Sequence, residues 1–542
     1  MTLALVACTK FFLFTFDFLA HHAFIGTIAH GNFPVMYPYA PDEPLAYFYG
    51  FDLLAALPYR AAGWGIGFVA GMVGVWVFLG AALAVVGFQK AYFSARPAVS
   101  VVGVLFYFFG SSITGVAVVL AHAPPGELKA YGALPYIQFS HGLGRSVGYA
   151  LLPVLLLLVE AFWKRRLGSS LLPWFVLVAC LMASLGLTAP ELLAVLGLAM
   201  VVVALKDIWR GKEGGVRKAV LVGVLALSLV VSFLQGGFLT SGFFSSGDEN
   251  VHLESEYMVQ PQYKNVGDKF YLMWPPAIPT WSGYAGIFSP MFWRVALLEF
   301  GPLFLLFPYF LKPGGDSFKQ ILMLAVCVSL GVPCLVGYGL DEFNMSKFFH
   351  APMLVVHLFA SSFLVRLIGR WVTRPFVRRI SLAVLVSVMI LTPVGYWTGH
   401  LWLHGSRAPY KKIGLGLAVD SEIEAVVSDL KRRVPPLARI LAASDFIYPL
   451  HSNGYFALHD PPSPWFFLGY RKKEAFDASL KLREKEDFLA WRPDYLLVPE
   501  DVLRHFQAVL PEASTRVLRK YAYSRRAAQE AHAMYLVKVR NP

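Results

Sequence analysis

Residues 14–60 read FTFDFLAHHAFIGTIAHGNFPVMYPYAPDEPLAYFYGFDLLAALPYR. The stretch joins two apolar runs, 2–16 and 64–88, and mixes carboxylates and histidines with aromatics and prolines. A plain connector between membrane spans needs few ionisable groups, so this one is the natural place to look for chemistry. Asp17 and His21 are four residues apart and share one face of a helix. That helix is expected to run to about His30, where Gly31-Asn32 and Pro34 stop it. A second amphipathic helix is expected over about 50–60. A carboxylate at the end of a span, roofed by two such helices, loses part of its hydration. Its pKa then rises towards the range useful to a general base. The competing reading of Asp17 is a solvated interfacial acid. For Asp42 and Glu43, in the turn P-D-E-P, it is turn chemistry or a salt bridge. His21, His22 and His30 offer imidazoles to a metal, or simply make hydrogen bonds.

Outward from this stretch, the 542-residue chain is 57% hydrophobic and only 15% charged, and its mean hydropathy is +0.56. A soluble domain carries about 25% charged residues, so a chain of soluble domains is excluded for most of the length. Disorder, collagen and disulfide scaffolds are excluded as well. The four cysteines, Cys8, Cys180, Cys327 and Cys334, lie in apolar stretches at spacings that match no metal motif. Runs long enough to cross about 30 Å of hydrocarbon recur near 64–88, 98–121, 147–163, 170–187, 191–205, 218–235, 292–311, 318–338, 351–369 and 379–397. The run 2–16, interrupted by Lys10, brings the expected count to about 11. A cleaved signal peptide is the competing reading of 2–16, which lacks a basic leader and an A-x-A-like site.

The formal charge of +13 would suit a nucleic-acid binder in a soluble chain. Sorted by loop, it means something else. Loops 89–97, 163–169, 206–218, 312–319 and 366–380 hold 17 basic residues and 3 acidic ones. The alternate set, 17–63, 122–146, 188–191, 236–291 and 339–350, holds 6 basic and 13 acidic residues. The positive-inside rule then sets the N-terminus in the cytoplasm, and the acidic loops and the C-terminal region outside a plasma membrane. Nucleic acid is therefore not an expected partner, and membrane lipids are.

Two domains follow: a transmembrane domain over 1–397, with the first outer loop at 17–63 and a long one at 236–291, and a soluble domain over 398–542. In the second, helices are expected at 420–433, 472–490 and 500–509. Strands are expected at 439–444, 494–498, 515–523 and 533–540, with a loop over 445–470. Alternating strands and helices indicate a small extracytoplasmic α/β layer domain. No Gly-rich phosphate fingerprint follows either early strand.

Other ionisable residues gather on the same outer side. GLDEFNMSKFFH at 339–350 supplies Asp341, Lys347 and His350; SHGLGR at 140–145 supplies Arg145; Arg294 begins the run 292–311. Cations at an interface bind a lipid phosphate, arginine in bidentate fashion, or they anchor to headgroups. Glu160 and Glu299 are costly charges within apolar runs.

This arrangement resembles the GT-C superfamily of membrane glycosyltransferases, which use polyprenyl-phosphate-linked sugars. DFLAHHAFIGTIAHGNFP at 17–34, followed by P-x-x-P-L-A-Y-F-Y-G-F-D-L-L-A-A, is similar to the first outer loop of uncharacterised bacterial members. DEFNMSKFF at 341–349 is similar to a later-loop motif. The resemblance implies a polytopic helical fold with an outward C-terminal domain. It implies transfer of a sugar to a glycan, lipid or protein acceptor, with Asp17 as the catalytic carboxylate. It also implies Asp42 or Glu43 as a second carboxylate, and Arg145, Lys347, Arg294 and His350 around the lipid phosphate. His21, His22 and Asp341 are accessory candidates, and a divalent cation, Mg or Mn, would be held by Asp17 and His21. Where the family often pairs two acids at the first-loop site, Asp17 is followed by Phe18. Two other functions fit many spans: a transporter or lipid flippase, and a non-catalytic assembly protein of the same fold. No inverted repeat or paired broken helices point to transport.

Overall fold

A computed structural model describes residues 16–39, 41–42, 44–45, 47–110, 143–164, 171–211, 215–236, 251–253, 261–266, 269–276, 307–310, 316–338, 350–388, 421–459, 491–509, 514–525 and 530–540, with a few isolated positions besides. The main helices are α1 (Phe16–Ala29), α2 (Gly50–Ala62), α3 (Ile66–Phe93), α4 (Pro97–Phe109), α5 (Leu143–Trp163), α6 (Leu171–Thr188) and α7 (Pro190–Trp209). They continue with α8 (Gly215–Leu234), α9 (Ser317–Leu335), α10 (His350–Trp371), α11 (Ser421–Arg433), α12 (Ser444–Ser452) and α13 (Glu500–Val509).

The chain is a multi-pass membrane protein. Among the described residues, four helices are long and apolar enough to cross a membrane: α3, α5, α7 and α10. Four shorter apolar helices coincide with α4, α6, α8 and α9. Prolines open α4 and α7, where a missing N–H costs nothing. The runs 2–16 and 292–311 lie almost wholly outside the described residues, so the expected 11 spans are not all on view.

By compactness the chain divides into two units. The first comprises 1–6, 74–235 and 242–411. Its helices are knotted by polar groups inside apolar surroundings. Gln89 of α3 donates to the carbonyl of Leu358 in α10 and accepts from Ser362 at 2.8 Å. Gly103 of α4 makes room for that glutamine, since a Cβ there would lie 3.0 Å from its side chain. In the long loop expected at 236–291, β1 (Val251–Leu253) pairs antiparallel with β4 (Val336–Tyr338), and β2 (Pro261–Val266) with β3 (Lys269–Pro276).

The second unit comprises 7–73, 236–241 and 412–542. Its sheet holds β5 (Arg439–Ala442), β6 (Phe456–His459), β7 (Tyr495–Pro499), β8 (Ser514–Arg525) and β9 (Glu530–Arg540), in the order β6-β5-β7-β9-β8. The first three strands are parallel and the last two pair antiparallel. Side chains alternate between two cores. Ile440, Ala442, Tyr495, Leu497 and Leu536 meet α11 and α12 on one face, while Leu441, Leu496, Val498 and Val537 meet Leu503 and Phe506 of α13 on the other.

The C-terminal elements match the sequence pattern with one correction. The expected loop 445–470 begins with α12 and β6. Pro449 inside α12 removes a backbone donor and broke the helical pattern of SDFIYPLHS, yet Phe446, Ile447 and Leu450 are buried in its core. The expected helix at 472–490 lies outside the described residues.

Candidate active site

The expected pair of helices in 17–63 forms as α1 and α2. Gly31, at φ +104°, follows the end of α1, and Gly63, at φ +66°, closes α2 with its N–H on the carbonyl of Tyr59. The two helices are joined by a buried ion pair. His21 Nδ1 lies 2.8 and 3.0 Å from the two carboxylate oxygens of Asp52. His21 is 2% exposed and Asp52 is fully buried, and the rings of Phe24, Tyr47 and Phe51 stand 6.0–6.3 Å from the imidazole. An ionised carboxylate only accepts, so Nδ1 carries a proton in this pair. Burial pushes the Asp52 pKa up, and the neighbouring His21 pulls it part of the way back.

Asp17 stands one helical turn before His21 on α1; its side chain lies outside the described set. His22 is buried, and desolvation, with a smaller contribution from His21, lowers its pKa to about 3. Its imidazole is therefore neutral at physiological pH.

The same unit holds the first loop against the C-terminal α/β fold. Gly26 of α1 packs on the backbone of His451 and Ser452, where a Cβ would collide. Tyr59 donates to the Ser452 carbonyl at 2.8 Å, Ala457 N–H to Pro38 at 3.2 Å, and Trp491 Nε1–H to Tyr39 at 2.9 Å. Asp42 meets Arg439 through two oxygens, at 2.5 and 2.7 Å. That hydrogen-bonded guanidinium holds the Asp42 pKa below the usual carboxylate value. Asp42 is thus engaged in a salt bridge in this structure. Glu43 lies outside the described residues.

In the other unit, two of the four expected phosphate-binding cations belong to one buried network. Arg145 Nε donates to Glu191 at 3.0 Å, the Tyr149 hydroxyl donates to the same oxygen at 3.1 Å, and His350 Nδ1 is 2.6 Å from that hydroxyl. Tyr107 donates to the Tyr149 carbonyl at 2.6 Å. Because the tyrosine gives its single proton to the carboxylate, His350 donates from Nδ1. The four residues Arg145, Tyr149, Glu191 and His350 are all buried. Lys347, Arg294, Asp341 and Glu299 lie outside the described residues. Glu160 is held by Lys164, one turn on, at 2.5 Å.

Four residues of these networks were not among the sequence candidates: Asp52, Tyr107, Tyr149 and Glu191. The readable signal for Asp52 was a lone carboxylate in the apolar first turn of α2. Tyr149 and Glu191 gave none, because their significance is the long-range pairing itself. Among the described residues no group of three or more His, Cys, Asp or Glu could hold a metal; the expected pair was Asp17 and His21, and the Asp17 side chain lies outside those residues.

The sequence matches no protein-family model and no curated protein. The solved structures that resemble it include two of one protein. One is ArnT from Cupriavidus metallidurans bound to undecaprenyl phosphate: TM-score 0.48, 12% identity, covering 98% of this chain and 96% of that one. The other is the same protein in the apo state: TM-score 0.42, 12% identity, covering 95% and 93%. A likeness at this level assigns neither residues nor an activity to the present chain.

Proposed function

We propose that the chain is a glycosyltransferase of GT-C type that moves a sugar from a polyprenyl-phosphate carrier to a glycan, lipid or protein acceptor at the outer face of a plasma membrane. About 11 spans, a cytoplasmic N-terminus and an outward 398–542 domain belong to this reading. One observation carries it: the helix bearing Asp17 is fixed one turn later to a buried carboxylate and packs on the C-terminal α/β fold. A connector between spans needs no such anchoring. A base that must hold a set direction does.

In this reading Asp17 takes the proton of the acceptor hydroxyl. The freed oxygen forms a bond to the anomeric carbon, and the bond from that carbon to the carrier's phosphate oxygen breaks. The electron pair leaves on the phosphate, where positive side chains steady the developing charge. Arg145, Lys347, Arg294 and His350 are assigned that work. Asp42, Glu43 and Asp341 keep lesser roles, Asp42 as a tether through Arg439.

The test is Asp17→Asn. Release of polyprenyl phosphate from a polyprenyl-phosphate sugar should fall by more than about 100-fold, with expression and membrane insertion unchanged. Near-normal turnover would sink the assignment.

A further inference from the structure

We infer that the arginines at the end of α10 form a binding site for an anionic membrane phospholipid, whose acyl chains run along the helix that follows. Residues 366–379 read RLIGRWVTRPFVRR. They hold five basic residues and no acidic one, and all five are arginine. The basic loop 206–218, by contrast, holds three lysines and two arginines. Orienting a chain in the membrane asks only for positive charge, which lysine supplies equally well. Gripping phosphate oxygens favours the planar, forked guanidinium.

The fold gathers these side chains. α10 ends at Trp371, where the Val372 N–H closes on the Ile368 carbonyl, and the next helix is described over 375–388. Arg378 of that second helix lies over Gly369 of α10, where a Cβ would stand 3.8 Å from its Nη1. Gly369 is the neighbour of Arg370 in sequence, so Arg378 arrives beside a second arginine. Arg366, one turn before Arg370, lies over the ring of Phe93, 5.9 Å from its centroid. Arg366, Arg370, Arg374, Arg378 and Arg379 are all exposed. Five like charges so placed repel one another until an anion joins them.

The second helix identifies the anion as a lipid. Val377, Ile380, Val384 and Val388 are 40–57% exposed and follow at helical spacing, so they form one apolar stripe. Arg374 and Arg378 stand at its start. Trp371, 80% exposed, and Phe376, 72% exposed, flank the turn, as aromatics do at a membrane interface. A cluster of cations heading an apolar lane matches a phosphodiester followed by acyl chains. A soluble phosphate would need the arginines but not the stripe.

The test is lipid binding by the full chain purified in detergent, read by native mass spectrometry and by Tm, with cardiolipin as the probe. The double variant Arg370→Lys/Arg378→Lys keeps the charge that orients the chain and removes the forked donors. Its affinity for cardiolipin should fall about 10-fold or more. Arg210→Lys, at the end of α7, should bind as the wild type does. Phosphatidylethanolamine, which carries no net charge, should bind far more weakly than cardiolipin and leave Tm unmoved. A double variant that binds within about twofold of wild type overturns the inference, because diffuse charge alone then suffices. Displacement of cardiolipin by an equal concentration of inorganic phosphate overturns it too, since the acyl lane then contributes nothing. If the double variant does not accumulate, the wild type decides: equal retention of cardiolipin and phosphatidylethanolamine overturns the site, and selective retention of cardiolipin supports it.

Discussion

Two arginine–carboxylate pairs, one in each unit, have the same chemistry and opposite surroundings. Arg439 grips Asp42 through two contacts, but the Asp42 side chain is 66% exposed. Arg145 touches Glu191 by a single contact at 3.0 Å, with the two side chains 8% and 4% exposed. By contact count the first looks stronger. By the cost of removing one partner the order reverses. Water re-solvates an exposed arginine at once, whereas a buried one keeps its charge out of water's reach. The Glu191 network is therefore a commitment of the helical unit's interior, while Asp42–Arg439 is an adjustable tether.

Substitutions at these contacts differ in expected cost. Glu191→Ala should destabilise the helical unit by about 3–5 kcal/mol, seen as a large drop in Tm in detergent. A loss under about 1 kcal/mol would place it with the exposed pairs. Gly26→Val should cost about 1–3 kcal/mol by overpacking α1 against the backbone at the C-terminal end of α12, and limited proteolysis should then cleave the first loop more readily.

Acid gives a third test. Burial holds the His451 pKa at about 4, opposed only in part by its hydrogen bonds to the backbone carbonyls of Ala457 and Pro38. The unfolded chain binds a proton at this residue below about pH 6.5, and the folded one does not until pH nears 4. Stability is therefore full above about 6.5 and declines as pH falls, by about 1 kcal/mol at pH 5.5. His451→Gln should remove that part of the decline; an unchanged pH profile in the variant would contradict it. The smallest effect belongs to Asp42→Ala, under about 1 kcal/mol and weaker still in high salt.

The sequence disclosed the elements that follow from composition and period. The apolar runs, the helices on either side of Gly31 and Pro34, and most of the C-terminal strand order in sequence could be read directly. Pairing across the chain was not legible. Nothing near Arg145 announces Glu191, and nothing near Asp42 announces Arg439, because such contacts depend on which helices pack together. The site shows the same division. Asp17 and His21 were related by helical spacing alone. Asp52, 31 residues from His21 in sequence, drew attention only as one more acid in the loop. Pro449 shows the opposite failure, a local signal for a break that burial of Phe446, Ile447 and Leu450 overrides.

The joining of 7–73 with 412–542 in one unit also sets a timetable. Asp42 and Arg439 are 397 residues apart, and a ribosome adding about 5–20 residues per second needs about 20–80 s to cover that distance. Throughout that interval α1 and α2 exist without the surface that Gly26 and Tyr59 pack against, while the spans between are inserted one after another. The helix pair that carries Asp17 and His21 is thus among the first parts synthesised and among the last to be completed. A chain halted before residue 412 would hold its helices yet lack the partner that fixes its chemistry.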